Sequence, residues 1–310
     1  MAMLFKSGAG RTEWWRNELT RLEPGLDFRV WPEIGDPTEI EFALGWEFPP
    51  GSLHRFSNLK CLCSIGAGVD HVFRDPNLPP NLPIVRIVDP WMTNAMSEFV
   101  ALNVLRFHRY DPEYRRLQTD GIWGEEVPSP DSTTRRVGIM GLGVLGQDAA
   151  AKLIPFGFPI AGWSRRPKTV PGVESFSGAA GLDALLARTD ILVMLLPLTP
   201  ETTGLLDRRR LALMPKGAAI VNAARGAMIV EADLLAALES GHIAGAALDV
   251  FAQEPPPKDH AFWRHPKVVL TPHIAAITNP STASPQIIDN YRRARAGQPL
   301  LNRVDPSVGY

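Results

Sequence analysis

Three residues in the second half of the chain are of the types that reduce a carbonyl. Asn222-Ala223-Ala224-Arg225-Gly226 follows one apolar run. Asp249-Val250-Phe251 follows another, with Glu254-Pro255-Pro256 just beyond, and Thr271-Pro272-His273 follows a third. A guanidinium such as Arg225 holds a carboxylate through two parallel hydrogen bonds and stays charged. An imidazole such as His273 delivers a proton to a carbonyl oxygen near neutral pH. A carboxylate, here Asp249 or Glu254, bonded to the second ring nitrogen would fix the tautomer. The set suits a 2-keto acid. Taken singly, each reads as well as a surface arginine, an exposed acid or a loop histidine, and spacing alone does not bring them together.

A second constellation suits a dinucleotide. Val137-Gly138-Ile139-Met140 runs directly into Gly141-Leu142-Gly143-Val144-Leu145-Gly146, a G-x-G-x-x-G, and Ala149, Ala150, Ala151 and Leu153 continue as a helix. Gly141 permits the tight turn, Gly143 lets backbone approach a pyrophosphate, and Gly146 lets helix and strand pack closely. The helix N-terminus, at Val144 and Leu145, supplies oriented N–H groups for the anion. A glycine turn without a ligand is the alternative, but strand, turn and helix in this order favour a dinucleotide.

The end of the next strand selects the cofactor. An Asp or Glu about 20 residues after the glycines would bind the ribose 2′-hydroxyl. Here Gly162-Trp163-Ser164-Arg165-Arg166 stands instead, and no acid appears until Glu174. Arginine pairs with phosphate through its planar fork, and Ser164 could add a hydroxyl donor. We therefore expect NADP(H) rather than NAD(H). A merely solvated turn is the other reading of Arg165 and Arg166.

Elements of an α/β protein must position these groups. In the first third, Met3–Phe5, Phe28–Trp31, Phe42–Trp46, Leu59–Ile65 and Ile84–Val88 read as strands, and Thr12–Leu22 as a helix ended by Pro24-Gly25. Asn94–Tyr110 is strongly helical, and a domain switch is expected near its start. After the Pro/Ser-rich stretch Val127–Thr134 a second series begins, with strands at Val137–Met140, Ile160–Trp163, Ile191–Leu195, Ala219–Asn222, Gly245–Leu248 and Val268–Leu270. Pro155 should end or bend the helix after the glycine loop. Glu231–Ser240 and Asp289–Ala296 are helical, the latter as a possible return to the first domain. Strand and helix alternating in this way predict parallel sheets.

Composition bounds the rest. The chain has 310 residues, enough for about two domains. Lys plus Arg is 32 against 33 Asp plus Glu, which argues against nucleic-acid binding through bulk charge. Cys61 and Cys63 are the only cysteines; two residues apart in a strand they suit a disulfide poorly and fall short of a zinc site, so no metal is expected. The segment 1–11 lacks the apolar core of a secretory leader, and no apolar run approaches a membrane span, so a cytoplasmic location is expected.

Taken together, these stretches resemble the D-2-hydroxyacid dehydrogenase family. Ser64-Ile65-Gly66-Ala67-Gly68-Val69-Asp70, Gly141 to Gly146, Leu196-Pro197-Leu198-Thr199-Pro200-Glu201-Thr202, Asn222 to Gly226, Ala247 to Phe251 with Glu254-Pro255, and Thr271-Pro272-His273-Ile274-Ala275 stand in the family's order. Asp89-Pro90-Trp91-Met92-Thr93, Met96-Ser97-Glu98 and Trp163-Ser164-Arg165 resemble the glyoxylate/hydroxypyruvate reductase A branch. The resemblance implies α/β architecture with two doubly wound parallel-sheet domains. A Rossmann cofactor domain, residues 98–278, would be inserted into a flavodoxin-like substrate domain, residues 1–97 and 279–310. It implies that Arg225 binds the substrate carboxylate and carbonyl, that His273 is the acid in reduction, and that Glu254 is its partner. Backbone N–H groups at Ala67 and Gly68 would take the carboxylate. Asp249, with backbone at Ala223 and Ala275, would hold the nicotinamide, and Pro197 would contact the cofactor. Ala275-Ala276 stands where many relatives have glycines. A homodimer is also implied.

The expected activity is NADPH-dependent reduction of glyoxylate and hydroxypyruvate to glycolate and D-glycerate. Trp46, Trp91 and Met92 could crowd the pocket toward small substrates, or simply pack in the core. The alternatives are the same chemistry on a larger keto acid such as phenylpyruvate, and a non-enzymatic NADP(H)-sensing module.

Overall fold

A computed structural model describes residues 2–8, 10–125, 127, 130–306 and 308–309. Pro128 and Ser129 of the Pro/Ser-rich stretch, and Met1 and Ala9 of the N-terminal segment, lie outside them. The chain forms two compact units, Met1–Met92 with Ile277–Tyr310, and Thr93–Ala276.

In the first unit, β1 (Ala2–Lys6), β2 (Asp27–Val30), β3 (Ile40–Gly45), β4 (Cys61–Ser64) and β5 (Ile84–Val85) form one sheet in the order β2-β1-β3-β4-β5. Every pairing is parallel. A parallel sheet covered on both faces needs apolar residues on both, which is why these strands read as continuous apolar runs. Met3, Leu4, Phe5, Phe42 and Leu44 are fully buried. Helix α1 (Thr12–Leu22) buries Trp15 and Leu19, and the short α2 (Asp70–Phe73) follows the turn after β4. Cys61 and Cys63 are free thiols inside β4, and burial pushes the Cys63 thiol up to about 12. They act as small apolar residues.

Helix α3 (Pro90–His108) begins four residues before Asn94. The first helical position tolerates proline because its missing N–H would have no partner there. Asp89 marks the start by accepting the Trp91 N–H at 3.4 Å. The two units divide inside this helix, between Met92 and Thr93.

The second unit adds α4 (Asp111–Thr119), β6 (Val137–Met140), α5 (Val144–Leu153), β7 (Ile160–Ser164), β8 (Val173–Ser177) and α6 (Gly178–Arg188). It continues through β9 (Ile191–Met194), α7 (Arg208–Leu213), β10 (Ala218–Asn222), α8 (Glu231–Glu239), β11 (Ile243–Leu248) and β12 (Val268–Leu270). Seven parallel strands run β12-β11-β10-β9-β6-β7-β8. One face packs Met96, Val100, Val104 and Phe107 of α3 with Ala149, Ala150 and Leu153 of α5. The other packs Leu182, Leu185 and Leu186 of α6 with Leu234 and Leu238 of α8. The chain then returns to the first unit as α9 (Pro280–Ala296).

Strand order 2-1-3-4-5 in the first sheet, and winding outward in both directions from β6 in the second, make two doubly wound folds as expected. Sequence patterning missed β8. It is an edge strand paired only with β7, and its Val-Glu-Ser-Phe-Ser run is half exposed. Pro155 acts as expected: α5 stops at Leu153, a short 3₁₀ turn carries the proline, and Gly157 closes it at φ 88°. Helix α9 starts nine residues before Asp289, because Pro285 within it hides its first half. Among the described residues no helix is long and apolar enough to cross a membrane.

Candidate active site

The winding of the second sheet reverses between β6 and β9, and ligands of such sheets sit outside the carboxyl ends of the strands there. The glycine loop leaves β6 at this place. Gly141 has φ +109°, and a Cβ on Gly146 would lie 1.8 Å from the Gly141 carbonyl oxygen. Only glycine lets α5 start this close to the strand. Gly143 is its N-cap and carries no side-chain acceptor, so no capping side chain covers the first-turn N–H groups of α5, the kind of donors that suit an anion. Val144 is exposed.

The turn after β7 lies beside this loop, since the Gly141 N–H donates to the Trp163 carbonyl at 2.9 Å. Arg165 and Arg166 are exposed. The buried Ser164 donates its hydroxyl to the Arg166 carbonyl at 2.7 Å, which shapes the turn. Lys168, which sequence reasoning passed over, reaches back to the Leu142 carbonyl at 2.9 Å. Its signal was present as a third cation in the same short turn. Pro197 follows β9, and its carbonyl accepts the Thr202 hydroxyl at 2.8 Å.

Three further strand ends carry Arg225, the carboxylates Asp249 and Glu254, and His273. Beyond β10, Asn222 shapes the turn: its Oδ1 accepts the Ala224 N–H and its Nδ2 donates to the Arg225 carbonyl, both at 3.1 Å. Asn222 is buried, and its positioning role is visible only in three dimensions. Beyond β11, Asp249 is 1% exposed. Its Oδ1 accepts the Thr271 hydroxyl at 2.6 Å and the Ile274 N–H at 2.9 Å, and its Oδ2 accepts the Ala275 N–H at 2.9 Å. One carboxylate thereby builds the turn after β12. The turn holds His273 at φ 53°, a left-handed conformation that costs a non-glycine residue energy. Three hydrogen bonds to Asp249 and one from the His273 N–H to the Asp249 carbonyl at 2.8 Å offset that cost.

His273 Nδ1 donates to Glu254 Oε2 at 2.7 Å. A carboxylate only accepts, so the proton is on Nδ1 and Nε2 is left for other chemistry. Glu254 Oε1 accepts the Phe251 N–H at 3.0 Å. Burial pushes the Glu254 carboxyl upward, but the His273 and Phe251 hydrogen bonds and the charges of His273 and Arg225 outweigh it and hold the group below its ordinary value. Arg225, Glu254 and His273, separate in sequence, thus lie within one electrostatic neighbourhood.

In the first unit, the Gly66–Gly68 loop is held by a chain of hydrogen bonds. The Glu47 N–H donates to His71 Nδ1 at 3.2 Å, so His71 Nε2 carries the proton and meets Ser64 Oγ at 3.1 Å. Ser64 Oγ in turn donates to the Gly68 carbonyl and accepts the Gly66 N–H. The Trp46 indole lies over His71 at a tilt of 34°, with centroids 3.9 Å apart, and against Gly66. Met92 is buried, whereas Trp91 is 52% exposed.

Residues 101–275 match the family model of the D-isomer specific 2-hydroxyacid dehydrogenase, NAD binding domain. The chain is 42% identical over 316 residues to glyoxylate/hydroxypyruvate reductase A of Serratia proteamaculans, and 39% identical over 317 residues to that of Salmonella enteritidis, with 100% of each chain covered. Among solved structures it is similar to a D-isomer specific 2-hydroxyacid dehydrogenase from Xanthobacter autotrophicus in complex with NADPH and MES. That similarity has a TM-score of 0.95 and 45% identity, over 100% of this chain and 99% of the other. It is also similar to an NADPH-dependent glyoxylate/hydroxypyruvate reductase from Sinorhizobium meliloti in complex with NADP and sulfate, with a TM-score of 0.93 and 38% identity over the same shares. The chain therefore belongs to the D-isomer specific 2-hydroxyacid dehydrogenase family.

Proposed function

We propose that the protein is an NADPH-dependent 2-ketoacid reductase, reducing glyoxylate to glycolate and hydroxypyruvate to D-glycerate. The single observation that carries this is the Glu254–His273 pair at 2.7 Å within reach of the Arg225 charge, at the strand ends of a sheet that also carries the glycine loop. Relatives of that name match over their full length.

Bound NADPH supplies the hydride that the keto carbon accepts. The chain's residues do the rest. The glycine loop, through Gly141, Gly143, Val144, Leu145 and Gly146, takes the pyrophosphate, and Arg165 and Arg166 take the 2′-phosphate from the turn that Ser164 shapes. Pro197 and the backbone at Ala223 and Ala275 line the nicotinamide end, and Asp249 serves it by holding the turn that carries Ala275. Arg225 holds the substrate carboxylate and offsets charge developing on the carbonyl oxygen. His273 gives the Nε2 proton to that oxygen and keeps the Nδ1 proton toward Glu254. Carbonyl, hydride and proton become the 2-hydroxy acid. The unit Thr93–Ala276 is the cofactor domain and the other unit the substrate domain, whose Ala67 and Gly68 N–H groups suit an anion and whose Gly66 loop Trp46 packs against. We infer a homodimer, a reading that light scattering on the purified protein tests.

The test is the absorbance at 340 nm of NADPH, and separately of NADH, with glyoxylate or hydroxypyruvate. Faster oxidation of NADPH supports the reading. Oxidation of NADH alone overturns the cofactor assignment. Oxidation only with phenylpyruvate or other large keto acids overturns the substrate assignment. Tight NADPH binding with no turnover of any keto acid overturns the enzyme.

A further inference from the structure

Behind the Glu254–His273 pair lies a second carboxylate–imidazole pair, Glu231 and His260, for which the reduction described above has no use. Glu254 sits in the segment between β11 and β12, where residues 251–260 have no helix or strand of their own. Such a segment does not hold a carboxylate in place unless something ties it down. Glu231, the first residue of α8, ties it at both ends. Its Oε1 accepts the Ala252 N–H at 3.0 Å, and its Oε2 meets His260 Nε2 at 3.2 Å. The Phe262 N–H donates to His260 Nδ1 at 3.3 Å, so the imidazole proton is on Nε2 and points at Glu231. The His260 ring also lies between Phe251 and Phe262, with centroids 6.3 and 5.0 Å away. Phe262 is fully buried and anchors that end in the core.

The clasp is in direct register with the reacting groups. Ala252 follows Phe251, whose N–H holds Glu254 Oε1. On the other side, a Cβ at Gly226 would lie 1.9 Å from the Phe251 carbonyl carbon, so the Arg225–Gly226 turn packs directly against the Phe251 backbone.

We propose that Glu231 and His260 are positioning residues: they clasp the 251–260 segment and so fix Glu254 against His273. The inference rests on the reductase reading for its kinetic consequence, but not for the clasp itself. Either side chain is more than two-thirds buried, and glutamine at 231 cannot satisfy both partners. An amide oxygen toward Ala252 leaves the NH2 group facing the His260 Nε2–H, donor against donor.

The experiment compares wild type, Glu231→Gln and His260→Asn by two measurements. Asparagine at 260 can still accept the Phe262 N–H, as in an ordinary cap, but it is too short to reach Glu231. Hydrogen exchange of the 251–260 peptide should quicken by about tenfold in both variants while exchange of β10 and α5 stays unchanged. The kcat for keto-acid reduction should fall by between about tenfold and a hundredfold, with the KM for NADPH within about threefold of wild type. Exchange that does not change overturns the clasp. Faster exchange with unchanged kcat overturns its positioning role. If wild type reduces no keto acid, the reductase reading fails and the exchange measurement still decides the clasp.

Discussion

Replacing Glu254 by glutamine removes a charge while keeping the side chain's length, and the geometry sets the cost. Two carboxylate oxygens serve two donors, His273 Nδ1 at 2.7 Å and the Phe251 N–H at 3.0 Å. Glutamine has one oxygen for both, and its NH2 group faces whichever donor is left. A hydrogen bond to a charged group contributes about 1.5–3 kcal/mol. The Glu254 and His273 side chains are 36% and 41% exposed, so solvent screening places the loss in the lower half of that range, about 1.5–2 kcal/mol. If that interaction is at full strength only as the proton is transferred, kcat falls by about 10- to 30-fold. The assay is steady-state reduction of glyoxylate at saturating NADPH, followed at 340 nm from about pH 5 to about pH 9. NADPH affinity and Tm serve as controls for folding. Because the Glu254 carboxyl is held below its ordinary value of 4.5, it stays ionised across this range. The wild-type rate should therefore show no acid-side loss from Glu254 above about pH 5, and the deficit of the variant should persist there. A variant within about twofold of wild type at every pH would refute the argument that Glu254 holds the working imidazole.

The other expectations are simpler. Arg225→Ala should lower kcat/KM for keto acids by about a hundred- to a thousandfold, with the NADPH Kd from fluorescence quenching nearly unchanged; unimpaired turnover removes Arg225 from the mechanism. Arg165→Ala with Arg166→Ala should raise the NADPH Kd by about 10- to 100-fold and the NADH Kd far less, and equal losses would mean that the pair does not read a 2′-phosphate. Gly146→Ala places a Cβ 1.8 Å from the Gly141 carbonyl oxygen, so calorimetry should show dinucleotide binding abolished or the Tm lowered; wild-type values for both would contradict the packing. Asp190 joins the Arg136 guanidinium and backbone at the start of β6. Burial raises the Asp190 carboxyl, but these bonds outweigh it and hold it below 3.8. Its stabilising contribution is thus full above that value and lost as pH falls through the depressed one. Asp190→Asn should lower the urea midpoint at neutral pH, and the difference from wild type should shrink in acid.

The outline of this protein is legible along the chain because local physics writes it there. Continuous apolar runs mark strands buried on both faces, and the glycine loop needs its residue types at fixed offsets from one strand and one helix. Helix α1 was read with its observed limits, since it is short, amphipathic and free of internal proline. Where local signals compete, the reading fails: β8 is half exposed at a sheet edge, and Pro285 masks the first turns of α9. Arg225, Glu254 and His273 could be proposed from their types, but their proximity belongs to the tertiary structure. The parallel order β12-β11-β10 puts three strand ends side by side that are far apart in sequence. How they are aimed was out of reach of sequence reasoning for the same reason. Asn222, Asp249, Glu231 and His260 act through hydrogen bonds to backbone N–H groups and to one another, and no pattern of residue types records which N–H a folded carboxylate will meet.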